Sequence, residues 1–172
     1  FFEPYKEISN AIEIAKKFED KLYERQLRDI ISYQKEKVAS IQGIKYPVRL
    51  FTDFEYDNLI VDLKSTLRLP TKPKIDHLRQ QALYSVLHDK PIALLYASPK
   101  KTFWYDLTKE DVKEGYTELL RDFKSLENYI DMCNNSIEDA IKITPLNTDP
   151  SPFYWDNNIK KAAIKVWQTV NK

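Results

Sequence analysis

The chain has 172 residues, 42% apolar and 31% charged, with a formal net charge of +1, proportions ordinary for one domain able to bury its own core. The single cysteine, Cys133, excludes an internal disulfide, a cysteine-ligated iron–sulfur cluster and a four-ligand zinc site. With only two histidines, His77 and His88, any metal must be held mainly by oxygen, which points to magnesium, manganese or calcium.

Two glycines, Gly43 and Gly115, leave no glycine-rich phosphate loop of Walker or Rossmann type. No apolar run approaches a membrane span and no signal-peptide pattern opens the chain, so the expected setting is cytoplasmic and reducing, without membrane contact. Phe1 is not an initiator methionine, which allows the numbered chain to begin inside a longer gene product. A near-neutral balance does not by itself announce a nucleic-acid binder.

In chain order, Ile8, Ile12, Ala15, Phe18 and Leu22 recur at helical spacing, and Leu27, Ile30 and Ile31 continue that helix or begin another. Residues 35–41 suit a first strand, closed by a turn at Gln42-Gly43. Residues 47–56 and 59–65 read as two strands flanking Asp57-Asn58, a pair suited to a two-residue hairpin turn. A Pro- and Lys-containing loop leads into a helix over about 75–88, then a buried strand within 91–98 and another over 102–106. A long helix over 108–132 carries Thr108 as N-cap with Asp111 three residues on. A short helix near 137–143 follows, then a Pro-rich loop to Pro152. The final helix sets Ile159, Ala162, Ala163, Val166, Trp167 and Val170 on one face. This order predicts a mixed α/β sandwich rather than a bundle or a barrel.

The chemistry concentrates in the hairpin. If Asp57-Asn58 is the turn, Tyr56 pairs with Leu59, Phe54 with Val61 and Asp53 with Asp62. Alternation then puts Lys64 on the face of Asp62, and Thr52, Phe54, Tyr56, Leu59, Val61 and Leu63 on the other. Two facing carboxylates repel unless a positive charge stands between them. A divalent cation supplies that charge, and held there it would polarise a phosphodiester and activate water. Alternating charged and apolar residues also describe an ordinary half-exposed hairpin.

The run Asp53…Ile60-Val61-Asp62-Leu63-Lys64-Ser65-Thr66 resembles the core motif of the PD-(D/E)XK nuclease superfamily, in its RecB-like and phage exonuclease branch. Leu78-Arg79-Gln80-Gln81-Ala82-Leu83-Tyr84 resembles that branch's helical Gln-x-x-x-Tyr motif, and an apolar strand follows, as in the family. The resemblance covers residues 35–106 well. It implies a restriction-endonuclease-like core, a mixed central sheet flanked by helices, with residues 1–172 forming a single nuclease domain. It also implies hydrolysis of DNA with Mg²⁺ or Mn²⁺, by an exonuclease rather than an endonuclease, in phage-type recombination, replication or DNA degradation. A single-strand-annealing or recombination protein is then a further partner, and a phage-encoded enzyme would work in the host cytoplasm.

Carried over residue by residue, the resemblance makes Asp53 and Asp62 metal ligands, completed by the Leu63 carbonyl, and Lys64 the catalytic lysine. Gln80 and Tyr84 would line the same cleft, holding metal-bound water or DNA phosphate; Gln81 reads as a solvent-facing polar residue. Leu50 stands where the family often has glycine. Many relatives add a Glu or His from the preceding helix, for which Glu13, Glu19, Glu24 and Glu36 are all candidates. The rival is a non-catalytic DNA-binding or protein-interaction domain that keeps the fold.

Smaller signals remain. Lys72, Lys74, Arg79, Lys100 and Lys101 could contact DNA phosphates or be ordinary surface charges. Phe103-Trp104-Tyr105 could stack on unpaired bases, or pack two of the three rings into the sheet. His77 reads as a capping or surface residue, and Phe153-Tyr154-Trp155 as core packing.

Overall fold

The computed structural model describes residues 4–143 and 157–170. The fold is α/β, in the order α1 (Pro4–Glu24), β1 (Ser32–Ala39), β2 (Val48–Glu55), β3 (Ile60–Ser65), α2 (Ile75–His88), β4 (Ile92–Ala97), β5 (Thr102–Asp106), α3 (Lys109–Met132), α4 (Ile137–Ile143) and α5 (Asn157–Val170). The strands form one five-stranded mixed sheet in sequence order, antiparallel except for the parallel β3–β4 pair that α2 connects. Packing sorts the chain into two compact units, residues 1–122 and 123–172. The sheet, α1, α2 and the start of α3 belong to the first. Among the described residues no helix is long and apolar enough to cross a membrane.

The first helix ends earlier than the apolar periodicity suggests. Gln26 takes a left-handed φ of 59°, its N–H bonds the Tyr23 carbonyl at 2.9 Å, and the Leu27 N–H reaches back to the Leu22 carbonyl at 3.0 Å. This is a Schellman stop, with Leu22 and Leu27 both packed on the core. Leu27, Ile30 and Ile31 therefore lie outside any helix.

The first strand also starts three residues before its predicted position, at Ser32. Ile31 N–H bonds the Glu55 carbonyl at 2.8 Å, Ser32 Oγ donates to Glu55 Oε2 at 2.9 Å, and Tyr33 sits 5.1 Å from the Phe54 ring. Pairing with β2 thus begins at once. Ile41 leaves the strand and is buried, while the chain turns at Gly43, whose φ of 82° suits a residue without Cβ.

Each face of the sheet has its own helix. On one, Tyr56, Val61 and Leu95 form a buried cluster joined by Phe18 and Leu22 of α1 and by Leu27, Phe54, Leu59, Leu63 and Trp104. The hairpin face predicted from alternation is therefore present; Thr52 is fully buried as well, though outside that cluster. On the other face lies α2, burying Gln81, Ala82, Leu83 and Tyr84. Buried on both sides, β4 has no exposed residue, which is why its sequence is a continuous apolar run.

At α3, Thr108 Oγ1 accepts the Asp111 N–H at 3.1 Å while the Asp111 carboxylate accepts the Thr108 N–H at 2.8 Å, the reciprocal capping read from the sequence. Gly115 lets α3 approach α2: a Cβ there would stand 3.0 Å from Ala82 Cβ and 3.3 Å from the Leu78 carbonyl oxygen.

In the second unit Cys133 and Ile141 are buried, and Ser136 Oγ accepts the Asp139 N–H at 3.2 Å at the start of α4. On α5, Ala163 and Trp167 are half-buried but Ala162 and Val166 are exposed, so the apolar face is narrower than the sequence implies. The Pro-rich loop and Phe153-Tyr154-Trp155 lie outside the described residues, as do the side chains of Ile159 and Val170.

Candidate active site

The hairpin follows the register expected from its turn, then departs from it at the first aspartate. Tyr56 N–H bonds the Leu59 carbonyl at 2.8 Å, and Glu55 pairs with Ile60 and Phe54 with Val61. Hydrogen-bonded pairs recur every second residue in an antiparallel ladder, so Thr52 and Leu63 would come next. The paired register instead stops at Phe54–Val61. The strands part, and the Leu63 N–H donates to Asp53 Oδ2 at 2.8 Å. A side-chain carboxylate thus fills a gap in the ladder, held against the residue that follows Asp62.

Asp62 and Lys64 share the α2 face of β3. Lys64 Nζ lies 2.7 Å from Asp62 Oδ2 and donates to Gln80 Oε1 at 3.1 Å. Gln80 Nε2 in turn donates to the Tyr84 hydroxyl at 2.9 Å. The Lys64–Asp62 contact is an ion pair outside hydrogen-bonding alignment, for Asp62 Oδ2 has no aligned partner among the described residues. Asp53, Asp62, Lys64, Gln80 and Tyr84 are thereby brought into one cluster. Gln81 corrects the sequence reading: it is fully buried, not solvent-facing, and its amide lies against Asp62. The missed signal was its place beside Ala82 and Leu83 on the buried side of α2.

Asp62 is only 2% exposed, and burial drives its carboxyl up to about 6. Asp53 pushes the same way, while the Lys64 ammonium and the Gln81 amide pull it down. Burial also raises the Tyr84 phenol above its ordinary value, so it stays a neutral hydroxyl. The cluster carries two carboxylates against one ammonium, leaving negative charge in a desolvated place. That is a donor set suited to a hard cation, since Mg²⁺ is commonly held by one or two carboxylates and completes its shell with water and substrate phosphate.

None of Glu13, Glu19, Glu24 and Glu36 joins the pair. Among the described residues no group of three His, Cys, Asp or Glu side chains could hold a metal. Glu13 pairs with Lys16, Glu24 with Lys21 and Glu36 with Arg49, as exposed ion pairs, and Glu19 is exposed on α1. Local charge pairing within a helix or between β1 and β2 accounts for three of these four candidates.

Arg79 is engaged elsewhere too: its guanidinium lies 2.8 Å from Glu118 and 3.6 Å from Asp122 on α3. Lys72, Lys74, Lys100 and Lys101 are exposed in the loops that follow β3 and β4, at the end of the sheet towards which Lys64 lies. His77 does not cap the helix and is half-buried. Its Nδ1 is 2.8 Å from the hydroxyl of buried Tyr96, on which its ring stacks. Phe103, Trp104 and Tyr105 are all half-buried; Phe103 stacks on Tyr96, Trp104 joins the α1 cluster, and Tyr105 donates to Asp111.

No protein-family model matches the chain, and no curated protein matches it. A crystal structure of a protein designated SSO0001 aligns with 72% of this chain and 61% of its own length, at 19% identity and a TM-score of 0.46. The chain spans about three fifths of that protein, and a likeness of this size decides neither fold family nor chemistry.

Proposed function

We propose that the chain is a Mg²⁺- or Mn²⁺-dependent deoxyribonuclease with a restriction-endonuclease-like core, an exonuclease of the RecB-like and phage type acting in DNA recombination, replication or degradation. The observation that carries this reading is the break in the β2–β3 ladder. It sets the Asp53 carboxylate on the Leu63 N–H, beside buried Asp62 and the Lys64–Gln80–Tyr84 chain.

Asp53, Asp62 and the Leu63 carbonyl would hold the metal ion. When bound, the ion supplies Lewis acidity towards a phosphodiester oxygen and a more acidic water. Lys64 has three N–H donors; Gln80 accepts one and Asp62 holds the ammonium as an ion pair, which leaves N–H for a phosphate oxygen or the attacking water. That ammonium would offset the charge that builds on phosphorus-bound oxygens in the transition state. Gln80, anchored on the neutral Tyr84 hydroxyl, fixes the direction in which Lys64 points. The exposed lysines beyond β3 and β4 suit contact with the DNA backbone, and a recombination or strand-annealing protein is the partner such an enzyme would serve.

A binding-only domain is the second reading. The 2.7 Å Lys64–Asp62 ion pair favours it, because the lysine itself offsets part of the carboxylate charge. End-labelled linear and closed circular DNA, incubated with Mg²⁺ or Mn²⁺, separate the two. Metal-dependent loss of linear DNA alone is expected. Intact DNA with well-folded protein and either metal would exclude the nuclease.

A further inference from the structure

We infer that Gln81 is the positioning residue for Asp62, holding its carboxylate in the orientation in which it meets a divalent cation. The inference rests on the nuclease reading for what Asp62 does, and on separate geometry for what Gln81 does. Two residues apart on β3, Asp62 and Lys64 are met by two successive residues of α2. Gln80 bonds Lys64, and Gln81 faces Asp62. Sequence motifs single out the first glutamine; burial singles out the second.

Gln81 is fully buried, and neither its Nε2 nor its Oε1 has a hydrogen-bond partner among the described residues. Asp62 Oδ2 beside it likewise lacks an aligned hydrogen bond. A buried amide in this condition destabilises the fold, and an apolar side chain of similar volume would remove that cost. Packing therefore gives no reason for glutamine. A donor beside a buried carboxylate does, since Asp62 Oδ2 lacks an aligned hydrogen bond that an amide N–H can supply. The amide offers both roles: Nε2 is a donor suited to the carboxylate, and Oε1 is an acceptor suited to a hydrogen bond from water. Groups that orient a metal-binding carboxylate in this way set metal affinity nearly as strongly as the ligands do.

The test sets affinity against stability in the full chain. Gln81→Met removes donor and acceptor at similar volume. Free Mn²⁺ is measured by electron paramagnetic resonance, and thermal unfolding is followed without metal. Positioning predicts a Kd for Mn²⁺ raised about tenfold or more, with an unchanged or higher Tm. An unchanged Kd in the variant, with wild type binding normally, overturns the inference and leaves the nuclease reading standing. Wild type that neither binds Mn²⁺ nor cuts DNA overturns both. Should Gln81→Met fail to fold, the wild-type Gln81 side-chain amide signals are followed by NMR during Mg²⁺ titration. Movement that saturates with Mg²⁺ supports positioning, and signals that stay fixed overturn it.

Discussion

Two buried carboxylates lie seven residues apart on one hairpin and meet opposite environments. Glu55, at the turn end of β2, is bonded by Lys90 at 2.8 Å and Ser32 at 2.9 Å, with Lys35 3.7 Å away. Chiefly through the Lys90 hydrogen bond, its carboxyl is pulled down to about 2. Asp62 has one lysine, an adjacent aspartate and an amide, and burial leaves its carboxyl raised to about 6. The first group is satisfied by the protein and stabilises it. The second is not fully satisfied by the described residues, and such unbalanced charge marks a place where a ligand is expected.

The largest expected difference is in activity. Asp62→Asn and Lys64→Ala should each lower metal-dependent DNA cleavage by about 10³-fold or more, because each removes charge at the reacting phosphate. Glu55→Gln should leave kcat unchanged at a temperature where all variants are folded. A comparable loss of kcat in Glu55→Gln would erase the distinction between the two carboxylates.

Stability should separate them in the other direction. A folded-state value below the ordinary 4.5 means that Glu55 stabilises the fold above that pH and that the contribution disappears as pH falls towards 2. Glu55→Gln should therefore cost about 2–3 kcal/mol in urea unfolding at pH 7, with the gap from wild type shrinking progressively below pH 4.5. A gap that persists at the lowest pH would assign the stabilisation to shape rather than charge.

Gly115→Ala links the two regions. Its new Cβ would press on Ala82 and on the Leu78 carbonyl and so displace the helix that carries Gln80, Gln81 and Tyr84. Overpacking of about 1–3 kcal/mol less about 1 kcal/mol of helix propensity gives an expected net loss of up to about 2 kcal/mol, together with lower activity per folded molecule, whereas Glu55→Gln moves stability alone. Tyr84→Phe should have the smallest effect. It removes one hydrogen bond to Gln80, worth about 1 kcal/mol, and should lower kcat about fivefold with little change in KM.

The hairpin was legible in the sequence because register follows from a two-residue turn and period-two alternation. The strand pairings Phe54–Val61 and Glu55–Ile60 are those the Asp57-Asn58 turn predicts. The break beyond them was not legible, since a side chain replacing a ladder carbonyl leaves no periodic trace. The stop of α1 was hidden similarly: its signal is a left-handed φ at Gln26, a conformation more usual for glycine or asparagine. Gln81 was misplaced because residue type suggested solvent, while its helical neighbours Ala82 and Leu83 pointed inward. The partners of His77 and Arg79 were not legible, because Tyr96 and Glu118 lie 19 and 39 residues away in sequence. Helix α2 and strands β4 and β5 kept their predicted positions, since punctuation by Pro73, Pro91 and Pro99 is local.

The central claim is that Asp53 and Asp62 together hold a divalent cation. Diffraction from crystals grown with Mn²⁺, collected at the manganese absorption edge, tests it most directly. The account predicts one anomalous peak in contact with both carboxylates and the Leu63 carbonyl, absent from Asp62→Asn crystals. An intact Lys64–Asp62 ion pair with no peak between the aspartates, at Mn²⁺ concentrations that saturate other magnesium enzymes, would contradict it.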